Sequence, residues 1–210
     1  MNKYSVIIPT LWQSPRIHKL LSDLIASENV DEIILIDNAG KYYEHYQTEL
    51  DKVKLIQPKE NLYIAASWNL GVELSKNQYV AVVNDDVNFN PVIFQLVGDN
   101  VEGIVGQATG NYYNNYSEMP FIAPLIKTRP WGWASFFMLN KKYWQSIPEE
   151  LRIWYNDDWI VHINSNPKWV LHNFSVQTEM SSTIGEGKFE DIKLQDREHW
   201  NAILQNHYKK

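Results

Sequence analysis

The chain has 210 residues, 44% of them hydrophobic and 21% charged, with a net charge of −6 and no cysteine. That is enough for one substantial α/β domain of globular composition. It excludes disulfides and thiolate metal sites, and it argues against a generic nucleic-acid binder, which carries a basic face.

No stretch approaches the ~20 apolar residues that span a membrane. The start, Met1-Asn-Lys-Tyr-Ser-Val-Ile-Ile-Pro9, is too short and strand-like for a signal peptide, so a cytoplasmic protein is expected. Ser5 to Pro9 reads as a first strand ending at Thr10. Ser14-Pro15 then caps a helix that carries Ile17, Leu20, Leu21, Leu24 and Ile25 on one face. Glu32 to Ile36 is a second strand, closing in Asp37-Asn38-Ala39-Gly40, and Lys54 to Gln57 a short third. Ala65 to Leu74 is helical in composition and leads into an apolar strand at Tyr79 to Val83. This alternation predicts a mostly parallel sheet with helices on its faces.

The second half is less regular. Gly98 to Pro120 is rich in Gly, Asn and Tyr, with one strand at Ile104 to Gln107. Trp133 to Leu139 reads as a strand, Trp154 to His162 as the opening of a helix, and Trp169 to His172 as a last strand. A polar loop over Ser175 to Gly187 precedes a closing helix at Phe189 to Asn206.

The strand at Tyr79 ends abruptly in Asn84-Asp85-Asp86. Adjacent carboxylates at the tip of a buried strand repel each other, and a hard divalent cation relieves that. The alternative is a solvated Asn/Asp turn. Ligands of such sheets bind outside the carboxyl ends of the strands, where Thr10, Asp37 and Asn84 to Asp86 all fall, which favours the cation. A second acidic pair, Asp157-Asp158, sits among Trp154, Tyr155 and Trp159. Apolar surroundings raise a carboxyl's pKa and suit it to act as a base, whereas an Asp at a helix start also serves as a cap. One residue is expected to take each role. Nine Trp and twelve Tyr supply faces for sugars or bases, or simply fill the core.

Taken in order, Ser5-Val-Ile-Ile-Pro-Thr10, Glu32-Ile-Ile-Leu-Ile-Asp-Asn38, Asn61-x7-Asn69-x-Gly71, Val82-Val-Asn-Asp-Asp-Val87, Gly132-Trp-Ala-Ser135, Asn156-Asp-Asp158 and Val170-Leu-His172 resemble a family 2 glycosyltransferase of the GT-A fold. The likeness is greatest to the branch with bacterial and viral rhamnosyl-type enzymes. It spans nearly the whole chain, so residues 1–210 are expected to form one domain, with a nucleotide-binding half at 1–90 and an acceptor half at 91–210.

The resemblance implies a sugar-nucleotide donor, UDP favoured and dTDP the alternative, Mn²⁺ or Mg²⁺, and inverting transfer to a glycan hydroxyl. Pro9, Thr10 and Leu11 would line the nucleotide, and Asp37 would meet the base or cap its own turn. Asn61 and Asn69 would hold a loop and helix start beside it. A glycine common in relatives two residues after that Asn is Tyr63 here.

Asn84-Asp85-Asp86 stands where relatives carry their DxD motif, with Asn84 replacing the first acid. Asp86 would then bind the metal and Asp85 the ribose, and Asp157, aligned with the family's acid in Asn156-Asp-Asp158, would be the base. His172 would complete the metal shell or serve structurally. Trp131 and Trp133 would stack on the acceptor sugar or pack in the core. Ser181, Ser182 and Thr183 lie in a loop that would fold over the diphosphate.

Two rivals remain. A sugar nucleotidyltransferase commonly carries a glycine-rich basic loop after the first strand, and Leu11-Trp-Gln-Ser-Pro-Arg16 has no glycine. A non-catalytic glycan- or nucleotide-binding module of the same fold is the second, and Asn84 keeps it open.

Overall fold

A computed structural model describes residues 3–40, 51–97, 102–107, 119–125, 128–178 and 189–209. In chain order these form β1 (Tyr4–Thr10), α1 (Arg16–Ala26), β2 (Val30–Asp37), β3 (Val53–Ile56), α2 (Tyr63–Leu74), β4 (Tyr79–Val83), β5 (Val87–Phe89) and α3 (Ile93–Val97). There follow β6 (Ile104–Gln107), β7 (Phe121–Pro124), β8 (Phe136–Asn140), α4 (Asn156–His162), β9 (Lys168–His172), β10 (Val176–Thr178) and α5 (Glu190–Tyr208).

β1 is buried at every position, as a strand covered on both faces must be. Eight strands form one sheet in the order β3-β2-β1-β4-β8-β6-β9-β7. β1, β2, β3, β4, β6 and β9 run one way, while β8 and β7 run against them. β5 and β10 make a separate antiparallel ribbon.

Successive side chains point to opposite faces, so two cores form. Val6 and Ile8 face α1 and the β5/β10 ribbon, packing with Leu20, Leu24, Phe89, Phe136 and Val176. Ile7 faces the other way, with Trp68 of α2, Phe137, Trp159 of α4 and Trp200 of α5. The carboxyl ends of six strands and the starts of β7 and β8 therefore share one rim, which carries the chemistry below.

The mostly parallel α/β sheet matches expectation, with local corrections. Residues 133–135 form a 3₁₀ turn rather than strand, because Gly132 has φ +70° and bends the chain before β8 begins. The short β5, α3, β7 and β10 carried too few residues to show a period, and β10 takes part of the expected polar loop. Ser14 accepts the Arg16 N–H at 3.2 Å, so the first helix starts one residue later than read. Ser181, Ser182 and Thr183, and most of the 98–120 segment, lie outside the described residues.

Trp133 is wholly buried, stacks on Phe137 and lies against Gly106 of β6, where any Cβ would overlap its indole. Gly106→Ala should therefore overpack the core and cost about 1–3 kcal/mol. Urea unfolding checks this through a lowered midpoint, and an unchanged midpoint would mean that the indole yields.

Candidate active site

β1, β2 and β4 bring the donor-side residues to the rim. Thr10 ends β1, and its hydroxyl donates to Asp85 Oδ2 at 2.6 Å while accepting the Trp12 N–H at 2.8 Å. Thus Asp85 ties the loop after β1 to the tip of β4. Pro9 is buried within β1 and Leu11 is half-buried just beyond it. The Asn84 N–H donates to the Ser135 carbonyl at 3.0 Å, joining the tip to the turn before β8.

Asp37 is wholly buried. Its oxygens accept the Ala39 N–H at 3.1 Å and the Gln57 carboxamide at 3.0 Å, which is the turn-capping alternative. Gln57 is exposed above it, so a base reaching Asp37 would have to displace Gln57. Asn61 accepts the Tyr63 N–H at 2.8 Å and Asn69 exchanges two bonds with the Ile147 backbone, so both brace α2.

Asp85 and Asp86 are both buried. Burial pushes Asp85 up to about 6, against the lowering bond from Thr10, and the Asp86 charge adds to the rise. A divalent cation relieves both causes. Mg²⁺ and Mn²⁺ are commonly held by one or two carboxylates and completed by water and phosphates, and this donor set fits that pattern.

The histidine expected to complete the metal shell beside Asp86 stands three strands over from β4 in the sheet. Among the described residues no three His, Cys, Asp or Glu side chains converge on a metal-sized space. His172 ends β9, which β8 and β6 separate from β4 in the sheet. Its imidazole stacks on Phe121 instead, centroids 4.9 Å apart.

The second acidic pair occupies the first turn of α4, on the α2 side of the rim. Arg129, which the sequence did not single out, bridges both. Its Nη1 lies 3.0 Å from Asp157, and its Nε and Nη2 fork onto Asp158 at 3.0 and 2.9 Å. Burial would lower the guanidinium pKa, but Asp158 and Asp157 outweigh it and hold it above the usual value. Asp157 is pushed up to about 6 by burial; Arg129 opposes the rise and Asp158 adds to it. Asp158 is thus the clamped member and Asp157 the one poised to titrate.

Trp131, just before the turn that leads into β8, is 60% exposed, and Phe121, at the start of β7, 52%. Trp133 is fully enclosed and donates its indole N–H to the Trp169 carbonyl at 3.1 Å, which corrects the expectation that it meets a sugar. Trp12, Tyr63, Tyr155 and Asn173 all have left-handed φ, between +54° and +66°. Each borders Thr10, Asn61, Asp157 or His172 and costs about 1–2 kcal/mol, the kind of strain that gathers at functional sites. Tyr63 keeps the conformation that a glycine would adopt freely.

The sequence profile of glycosyl transferase family 2 matches residues 5–178. No curated protein sequence matches the chain. Among solved structures, Staphylococcus aureus TarS 1-349 in complex with UDP is similar at TM-score 0.64 and 17% identity, over 84% of this chain and 60% of that one. S. aureus TarS aligns at TM-score 0.63 and 17% identity, over 85% and 37%. GalNAc-T7 with UDP, GalNAc and Mn²⁺ aligns at TM-score 0.60 and 11% identity, over 85% and 44%. The chain therefore spans less than two thirds of the length of these neighbours. With a profile match over most of its length, the chain belongs to glycosyl transferase family 2, and its fold is GT-A.

Proposed function

We propose that this chain is a metal-assisted, inverting transferase moving a hexosyl or deoxyhexosyl group from a nucleoside diphosphate to a glycan hydroxyl. The observation that carries it is the geometry of Asp157, set in the first turn of α4, paired with Arg129 at 3.0 Å and standing on the same rim as the Thr10–Asp85 tip. The acceptor oxygen attacks the anomeric carbon, its proton passes to Asp157, and the bond from that carbon to the diphosphate oxygen breaks as the nucleoside diphosphate leaves. No covalent enzyme intermediate is needed.

Arg129 holds Asp158 and keeps Asp157 ionised near neutrality. Asp86 would hold Mn²⁺ or Mg²⁺ beside Asp85, which would meet the ribose; when bound, the ion offsets charge on the departing diphosphate. Pro9, Thr10 and Leu11 line the nucleotide loop, and Asp37 acts through Gln57. UDP is favoured because two of the named neighbours were solved with it, and dTDP is the alternative. Trp131 and Phe121 offer faces to the acceptor sugar. Residues 1–210 then form one transferase domain, its donor half 1–90 and its acceptor half 91–210.

A panel of sugar nucleotides with Mn²⁺, with and without candidate acceptors, tests this by release of free nucleoside diphosphate. Affinity without release supports a non-catalytic module. Consumption of nucleoside triphosphate and sugar phosphate supports a nucleotidyltransferase.

The pH profile adds a sharper expectation. A base must be deprotonated, so turnover should rise with pH through about 6 and level above 7. Arg129 lowers the Asp157 pKa, so Arg129→Gln should move that limb upward by about one unit. A limb that stays near 6 in the variant would remove Asp157 as the titrating base.

A further inference from the structure

α5 lies beyond the residues that match the family, yet it grips the segment leading to the α4 acids. Asp196 of α5 is fully buried. Its Oδ2 accepts the backbone N–H groups of Ile153 at 2.8 Å and Trp154 at 2.9 Å, and Arg152 Nε lies 3.8 Å from its Oδ1. One turn on, Trp200 stacks on Tyr155, centroids 5.9 Å apart, where the chain takes its left-handed step into α4.

The same segment is held from the donor side. The Arg152 carbonyl accepts the Ile64 and Ala65 N–H groups at 2.8 and 3.3 Å, satisfying two free amides of the first turn of α2. Just before them the Leu62 N–H donates to Asn38 Oδ1 at 3.0 Å, beside Asp37. Hydrogen bonds thus run from the tip of β2, through the start of α2 and residues 152–154, to Asp196. A buried carboxylate costs several kcal/mol to desolvate, and an apolar residue would dock a helix more cheaply. The directional bonds to two consecutive amides are what an apolar residue would not supply.

We infer that Asp196 is a positioning residue for Asp157: it fixes residues 152–155 so that the first turn of α4 presents its acids at the rim. The inference rests on the transferase reading, and misplacing a catalytic group by about an ångström costs on the order of 10²-fold.

The test compares wild type, Asp196→Asn and Ile203→Ala, the last weakening the α5 packing without touching the backbone bonds or the stacking on Tyr155. For Asp196→Asn, kcat for nucleoside diphosphate release should fall about 10- to 100-fold. Its acid limb should leave the neighbourhood of 6, while UDP affinity stays within about twofold. Ile203→Ala should lose thermal stability with kcat and limb unchanged. Wild-type kcat and limb in Asp196→Asn, at whatever Tm, would make the residue merely structural and overturn the inference. Should that variant fail to bind UDP or fold, Asp196→Glu, which keeps the charge but displaces the oxygens, carries the same expectation. Should wild type release nothing from any donor, the transferase reading fails on its own. Carboxylate NMR of Asp157 then decides the inference: its titration should move in Asp196→Asn, and an unmoved titration overturns it.

Discussion

Asp157→Asn should lower the rate of nucleoside diphosphate release by about 10² to 10⁴-fold, the usual contribution of a positioned general base. UDP affinity should stay within about twofold, because the nucleotide loop is held by Thr10 and Asp85 on the other half of the rim. The amide keeps the size of the carboxylate and removes the acceptor for the proton. Asp158→Asn should behave differently. Asp158 takes two bonds from the Arg129 fork, so its loss frees that cation to pair more fully with Asp157. It also removes a neighbouring negative charge, and both changes move the acid limb below 6 rather than abolishing turnover. Steady-state rates and calorimetric titration with UDP check both variants. If Asp157→Asn loses UDP binding instead, its role lies at the donor and the base assignment fails.

The second large effect is expected at the β4 tip. Asp86→Ala should weaken Mn²⁺-supported UDP binding by about 10²-fold, while binding measured in EDTA stays as it was. The pH dependence follows from Asp85, whose folded pKa of about 6 lies above its ordinary value. A group raised in this way favours its protonated form in the folded chain. The stability this gives is full at low pH and is lost as pH rises through 6. A proton therefore competes with the cation, and Mn²⁺ affinity should fall as pH is lowered from 7.5 to 5.5. Calorimetry at several pH values measures this, and a pH-independent affinity would place the ion elsewhere.

Much of the rim was readable because apolar runs end sharply in polar residues. Val83 gives way to Asn84-Asp85-Asp86, Ile36 to Asp37, and the β1 run closes at Thr10. Parallel topology then puts those ends together without knowledge of any side chain. What escaped depends on partners distant in sequence. Arg129 lies 29 residues before Asp158, and nothing local marks it as their counter-ion. Asp196 looks like any other polar position of a long helix until residues 153 and 154 fold back against it.

Trp131 and Trp133 are alike in sequence. The left-handed Gly132 between them sends one to solvent and the other inward. His172 became a stacking partner because β7 pairs with β9 and sets Phe121 opposite it. Asp37 was placed at the correct strand end, but its occupation by Gln57 depends on how β3 lies beside β2.

The central claim is a single displacement at the anomeric carbon with Asp157 as base, and stereochemistry reads it without knowledge of the acceptor. Wild type is incubated with Mn²⁺ and a reactive UDP-sugar of α configuration, water serving as the acceptor. The free sugar is then followed by ¹H NMR before mutarotation. The account predicts that the β anomer accumulates first and that Asp157→Asn suppresses its formation; the α anomer appearing first would contradict it.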